Sequence, residues 1–347
     1  MSENETKNKY EVGEIVFDIT KLNKMITRPE AKNSKIIIPE YDRDGNKLPD
    51  RYAILTLSAI EIDKELYSIT PFDLVLLDTV YSMAQNNTEK ELTFTIEELA
   101  NRLVKREVKF ESTKMQVPPQ YWDRFCLPFL TPEENPDTPI ERLNFYNYLH
   151  FCVSKLSFIE ATIDCTFLKG PRDDIKPDEN HVPYLKDILF GPLLPVKGRL
   201  YRTIAMKEDR ISYTMSHMPI LFEYATRYRR VARGPAKLMA TPLRATPENI
   251  TLQNAVAKRV MQIRNQNNNC TNGRLSYEWG RNGEKGLLAR VGIRRENFSS
   301  DDNWSKKKTK VHRAVGKILE KYKKENLIKD YQEVKNGKTY VGYDIVV

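Results

Sequence analysis

The sequence has no long hydrophobic run. Its longest apolar stretches are a handful of residues, such as Ile36-Ile37-Ile38 and Leu74-Val75-Leu76-Leu77. About 18 consecutive apolar residues are needed to cross a bilayer, so no transmembrane helix is expected. Residues 1–10 are polar and lack the apolar segment of a secretory signal. Cysteine is sparse, at 126, 152, 165 and 270, and never spaced as CxxC. A chain this large needs no disulfide framework, and the pattern fits reduced thiols in a cytoplasm. Histidine is scarcer in effect: residues 150, 181, 217 and 312 lie far apart, without HxH or HExxH. No metal site is expected. A metal-dependent rolling-circle nuclease would want paired histidines, and they are missing. No Gly-x-Ser-x-Gly elbow occurs. Gly337-Lys338-Thr339 resembles the end of a phosphate loop, but Gln332 stands where the loop needs its first glycine.

What is present is charge. The chain has 347 residues, enough for two or three domains. It carries 56 Lys and Arg against 47 Asp and Glu, a net +9. The excess is not spread evenly. Residues 251–347 hold 21 basic and 10 acidic side chains, whereas the preceding 250 residues are near neutral. Such asymmetry points to a nucleic-acid-binding module beside a neutral partner. A basic tail would be low in complexity, and this segment is not.

Local signals give an α+β chain. Thr70 caps a helix with Pro71 in its first turn and Asp73 three residues on; Leu74, Leu77, Val80 and Tyr81 form its stripe. Residues 91–95 read as a short strand leading to a second cap, Thr95, with Glu98 at the capping-box position. Helix, short strand, helix is how a winged-helix domain begins. A Pro-rich insert follows at 112–140. Further on come a helix over 140–156 and strands over 157–168, 185–194, 200–206 and 211–214, with turns at Lys197-Gly198 and Glu208-Asp209. A helix over 218–228 follows. This gives an N-terminal extension over 1–50, expected to be partly flexible, and a first winged-helix-like domain over 51–228. Thr-Pro and Gly-Pro steps mark a Pro- and Arg-containing linker over 229–247.

Residues 248–347 read as a basic winged-helix domain. Thr246 caps a first helix, and Leu252, Val256, Val260 and Ile263 keep its spacing. Residues 274–277 form a short strand and 284–291 a short helix. A third helix runs from about Trp304 to Asn326. Two strands, over 327–334 and 339–347, are joined at Asn336-Gly337, the strongest short hairpin signal.

The third helix holds the candidate site. Val311, Val315, Ile318, Leu319 and Tyr322 share one face. Lys306, Lys310, Arg313, Lys317 and Lys324 share the opposite one, with Lys321 at its margin. Like charges at i,i+4 cost an isolated helix a few tenths of a kcal/mol per pair. A phosphate backbone removes that cost by neutralising the cations and releasing counterions. The plainer reading is a solvated basic helix. Its place as third helix before a hairpin favours DNA, where the N-terminal half of such a helix meets base edges. That half holds Asn303, Ser305, Lys306, Lys307, Thr309, Lys310 and Arg313. Thr309, Lys310 and Arg313 are the base-reading candidates; Lys306 and Lys317 are expected on phosphates. Lys335 and Lys338 sit at the wing tip, facing backbone or minor groove, or only solvent. Arg229, Arg230 and Arg233, with Arg227, form either a phosphate clamp or a helix C-terminal complement to the dipole. His312 is expected to be a surface or packing residue.

The order resembles replication initiators of theta-replicating, iteron-bearing plasmids. The resemblance lies in residues 69–82, in Phe94-Thr95-Ile96-Glu97-Glu98-Leu99, in the strand-then-helix run from Ile211 to Ala225, and in the basic-helix-plus-wing unit of 246–347. It covers roughly residues 50–347 as a pattern. It implies two winged-helix domains and binding to repeated origin sequences in double-stranded DNA. It also implies melting of adjacent AT-rich DNA and recruitment of a host helicase or its loader. The second domain would supply most of the base reading, and the first would contribute dimerisation and backbone contacts. No cofactor is implied, and the location would be a bacterial cytoplasm. A transcriptional regulator of a mobile element, and a primase or nuclease with an accessory winged helix, are the competing readings.

Overall fold

The computed structural model describes residues 9–13, 35–41, 47–57, 69–85, 91–108, 114–117, 141–168, 187–201, 210–227, 231–265, 272–278 and 286–347. In chain order, the elements of the first two-thirds are β1 (Lys9–Gly13), β2 (Lys35–Tyr41), β3 (Lys47–Leu57), α1 (Pro71–Gln85), β4 (Leu92–Thr95), α2 (Ile96–Val104), β5 (Lys114–Val117), β6 (Glu141–Asn144), α3 (Phe145–Phe158), β7 (Glu160–Asp164), β8 (Ile188–Pro192), β9 (Val196–Tyr201), β10 (Arg210–Met215) and α4 (Ile220–Arg227). The remainder holds β11 (Val231–Pro235), α5 (Pro247–Asn265), β12 (Asn272–Ser276), α6 (Leu287–Arg290), α7 (Asp301–Lys324), β13 (Asp330–Asn336) and β14 (Thr339–Val346). The fold is mixed α+β.

The helix starts expected from sequence close as hydrogen bonds. Thr70 N donates to Asp73 Oδ2 at 2.6 Å, and Asp73 N returns to Thr70 Oγ1 at 3.2 Å. Thr95 N donates to Glu98 Oε2 at 2.9 Å, and Glu98 N to Thr95 Oγ1 at 3.2 Å. Each pair satisfies two amide donors that the first helical turn leaves without partners. Thr246 caps α5 through Asn249 N at 3.2 Å.

The same topology occurs twice. α1, β4, α2, α3, β9 and β10 run helix–strand–helix–helix–strand–strand, and their sheet has the order β4-β10-β9. α5, β12, α6, α7, β13 and β14 repeat that run, with the order β12-β14-β13. In both sheets the last strand lies between the first two. The first unit carries an added four-stranded antiparallel sheet, β2-β3-β7-β8, between α3 and its hairpin and ahead of α1. Its core joins Leu55, Leu74, Leu77, Phe94, Leu99, Leu149 and Ile163, among others. A second core gathers Val256, Val260, Leu288, Val315, Ile318, Leu319 and Tyr322. Leu238 and Met239 enter that second core. The segment read as a linker contains the strand β11, which pairs antiparallel with β1, and a 3-10 turn over Ala236–Met239.

Several local readings differ from the structure. The helix expected over 140–156 starts at Phe145 and runs to Phe158, and residues 141–144 form the strand β6. Lys197-Gly198, expected as a turn, lies inside β9. Gly198 is paired with Tyr213, and a Cβ there would sit 3.3 Å from the Tyr213 ring, so the glycine serves a close approach. α7 starts at Asp301, capped by Ser300, rather than at Trp304. It ends in a left-handed Asn326 with Leu327 N donating to Tyr322 O at 2.8 Å, a Schellman closure. Leu327 and Ile328 are therefore core residues, and the strand expected from 327 begins at Asp330. The turn expected at Glu208-Asp209 and nearly all of the insert at 112–140 lie outside the described residues. Among the described residues, no helix is long and apolar enough to cross a membrane.

Candidate nucleic-acid interface

α7 is anchored by one face and displayed by the other. Val311, His312, Val315, Ile318, Leu319 and Tyr322 are buried. Asn303, Ser305, Lys306, Lys310, Arg313 and Lys317 are exposed, and Thr309 is half-buried. Asp301 and Asp302 occupy the first turn, where carboxylates oppose the positive end of the helix dipole. From Asn303 to Lys317 the axis advances about 21 Å, enough to follow a major groove.

The basic residues fall into two groups. Lys306 Nζ meets Asp302 Oδ2 at 2.6 Å with both groups largely in water, a pair worth little on its own. Lys307 is drawn to Glu248 at the start of α5. Lys308 reaches Glu278 at 3.6 Å and lies over the Trp304 ring. Lys321 Nζ donates to Ala240 O at 2.6 Å, and Lys323 Nζ to Asp330 Oδ1 at 2.7 Å. Lys307, Lys308, Lys321 and Lys323 hold the helix to its own unit. Lys310, Arg313 and Lys317 have no ion pair among the described residues and stand in water on the outward face. Thr309 Oγ1 donates to Ser305 O at 3.0 Å, so the hydroxyl is used within the helix.

The hairpin β13–β14 turns at Gly337, whose φ of +59° suits a residue without a side chain. Lys338 is exposed there. Lys335 is exposed too, with its Nζ 4.7 Å from the Tyr340 ring centre and 3.9 Å from Glu333. Of the arginine cluster, Arg229 and Arg230 lie outside the described residues. Arg233 stands opposite Glu11 in the β1–β11 pair. Arg227 is engaged by Asp187 at 3.1 Å and Glu223 at 3.2 Å.

The tie between helix and hairpin is legible only in three dimensions. His312 is 4% exposed. Its Nδ1 lies 2.6 Å from Tyr277 Oη, and its Nε2 lies 2.9 Å from Glu333 Oε1 and 3.2 Å from Tyr343 Oη. The ring stacks against Tyr340 and Tyr343 at centroid distances of 3.9 and 4.8 Å. Burial and neighbouring acidic groups push the Tyr277 and Tyr343 phenols well up, so both stay protonated donors. The basic face of α7 and the hairpin lysines thus belong to elements packed together through His312. Of the two readings the sequence left for His312, surface or packing, the structure shows packing. Its partners Tyr277, Glu333, Tyr340 and Tyr343 carried no local signal beyond the hairpin's aromatic content.

The equivalent helix of the first unit differs. α3 carries one cation, Lys155, which is buried and paired with Asp73 at 2.6 Å. It offers no basic face.

No known family profile matches the chain, and no curated protein matches it. A solved structure of RctB domains 2-3 is similar at 10% identity, over 94% of this chain and 96% of that one, with a TM-score of 0.41. At that distance the fold and the interface are read from the chain's own elements.

Proposed function

We propose that the chain is a sequence-specific double-stranded DNA-binding protein with two winged-helix units. In this reading it initiates replication at repeated origin sequences of a bacterial plasmid or mobile element. The observation that carries the reading is the row Lys310, Arg313 and Lys317. These cations face outward without ion pairs among the described residues. They lie on the third helix of a helix–strand–helix–helix–hairpin unit whose turn also presents Lys338. Grouping like charges costs the free protein a few tenths of a kcal/mol per neighbouring pair, and duplex phosphates reverse that cost. The first unit, with a neutral and buried third helix, is assigned to self-association and orientation. A host helicase or its loader is the further partner that the role calls for. No cofactor and no catalytic step are assigned to the chain.

The test is footprinting of the full chain on DNA flanking its own gene. Protection of direct repeats beside an AT-rich stretch is the expected result. Protection of one operator without repeats would instead assign transcriptional control. Absence of salt-dependent duplex binding would overturn both. Nuclease and primer-synthesis assays with Mg²⁺ or Mn²⁺ should show no turnover; robust activity would make the protein an enzyme.

A further inference from the structure

A cleft of about 150 Å³ opens between α5, β12 and α6. Three arginines line it: Arg259 from α5, Arg274 from β12 and Arg290 from the end of α6. Ser276 adds a hydroxyl, and Ala255, Leu275 and Leu287 supply the apolar walls. No carboxylate is among its described lining residues. Arg274 is held at the rim by Asp344, Nε to Oδ1 at 2.8 Å and NH2 to Oδ2 at 3.1 Å. Arg259 donates from Nε to Arg274 O at 2.8 Å and from NH1 to Gln262 Oε1 at 3.4 Å. A guanidinium has five N–H donors, so Arg259 is fixed in place with donors to spare.

We propose that this cleft is a phosphate-binding subsite, with Arg259 and Arg290 as its paired cations. The chemistry favours a phosphate over a neutral ligand. Two half-buried guanidiniums face one space, and planar forks match the oxygens of a phosphate group. Burial holds both below the usual arginine range, and the charge of Arg259 lowers Arg290 further. The volume would hold about five waters, ample for one phosphate group. The phosphate can come from a free anion or from a DNA backbone. The second source rests on the duplex-binding reading above; the first does not.

Two arms separate the sources. The first measures melting of the full chain in inorganic phosphate against sodium chloride at equal ionic strength. A rise in Tm with phosphate, lost in Arg259→Gln and Arg290→Gln, supports a free-anion site. A rise that both variants retain places the effect elsewhere and overturns the proposal. The second arm measures duplex affinity against salt. If phosphate alone gives no shift, Arg259→Gln should weaken all duplexes alike and flatten the salt slope by about 0.9, one phosphate contact. The absence of both a phosphate shift and a slope change overturns the proposal. Should Arg259→Gln fail to fold, Arg259→Lys keeps the charge without the fork and should lose part of either effect. If the wild-type chain binds no duplex, the DNA reading fails by itself, and the subsite then stands or falls on the phosphate arm.

Discussion

Arg313 and Lys310 are one turn apart on the outward face of α7, and neither has an ion pair among the described residues. Lys306, one turn earlier, has Asp302 at 2.6 Å. That difference orders their expected effects. Arg313→Ala should cost about 1–3 kcal/mol and relax preference at one base position, read by competition among single-base variants of the site. Lys310→Ala should weaken binding more than Lys306→Ala, because Lys306 must leave a carboxylate before it gains a phosphate. Lys306→Ala should weaken all duplexes alike and flatten the salt slope by about one unit or less. Equal losses of affinity in Lys306→Ala and Lys310→Ala would show that the ion pair on α7 plays no part.

At the scale of elements, α1 and α5 meet through a buried pair. Lys258 Nζ lies 2.8 Å from Asp78 Oδ2, with side chains 3% and 0% exposed. Burial raises the Asp78 carboxyl to about 6 in spite of the facing ammonium, and burial also lowers Lys258. The sign of the pH effect follows. The unfolded carboxyl ionises near 3.8, while the folded one keeps its proton to about 6. The folded state therefore binds more protons across that window, and the Asp78 contribution to stability falls as pH rises from about 4 to about 6. Asp78→Asn should remove this slope, measured as urea-unfolding free energy at several pH values. At neutral pH, Lys258→Met leaves a buried carboxylate without its cation and should cost about 3–5 kcal/mol. The double variant Asp78→Leu/Lys258→Met should recover most of that loss, because two apolar groups leave no buried charge. If it does not, packing rather than charge governs this junction.

At the scale of the whole molecule, the two cores are joined by α5. Ile250 belongs to the first core, and Val256, Val260 and Ile263 belong to the second. The segment before α5 is part of the second unit's packing. Gln253 Nε2 donates to Leu238 O at 2.6 Å and to Tyr322 Oη at 2.8 Å, and Tyr322 Oη donates to Leu238 O as well. A fragment 236–347 should therefore unfold cooperatively and bind duplex DNA with salt dependence. A fragment 246–347 lacks Leu238, Met239 and Leu243, and should melt lower in the same thermal scan. Equal melting of the two would show that the 3-10 segment contributes nothing.

The sequence by itself determined that the main helices exist, the caps at Thr70, Thr95 and Thr246, the Asn-Gly hairpin and the basic face of α7. These depend on residues three or four apart or on a turn, and local spacing carries them. The concentration of positive charge after residue 250 was equally plain, because counting needs no geometry. Tertiary structure alone decided which lysines are spent. Lys307, Lys308, Lys321 and Lys323 look like Lys310 and Lys317 in sequence, but their partners Glu248, Glu278, Ala240 and Asp330 lie elsewhere in the chain. It also decided that Gly198 lies in a strand, that His312 locks helix to hairpin, and that Asp78 faces Lys258 across 180 residues. Each of these is a contact between residues remote in sequence, and no periodicity records such a contact.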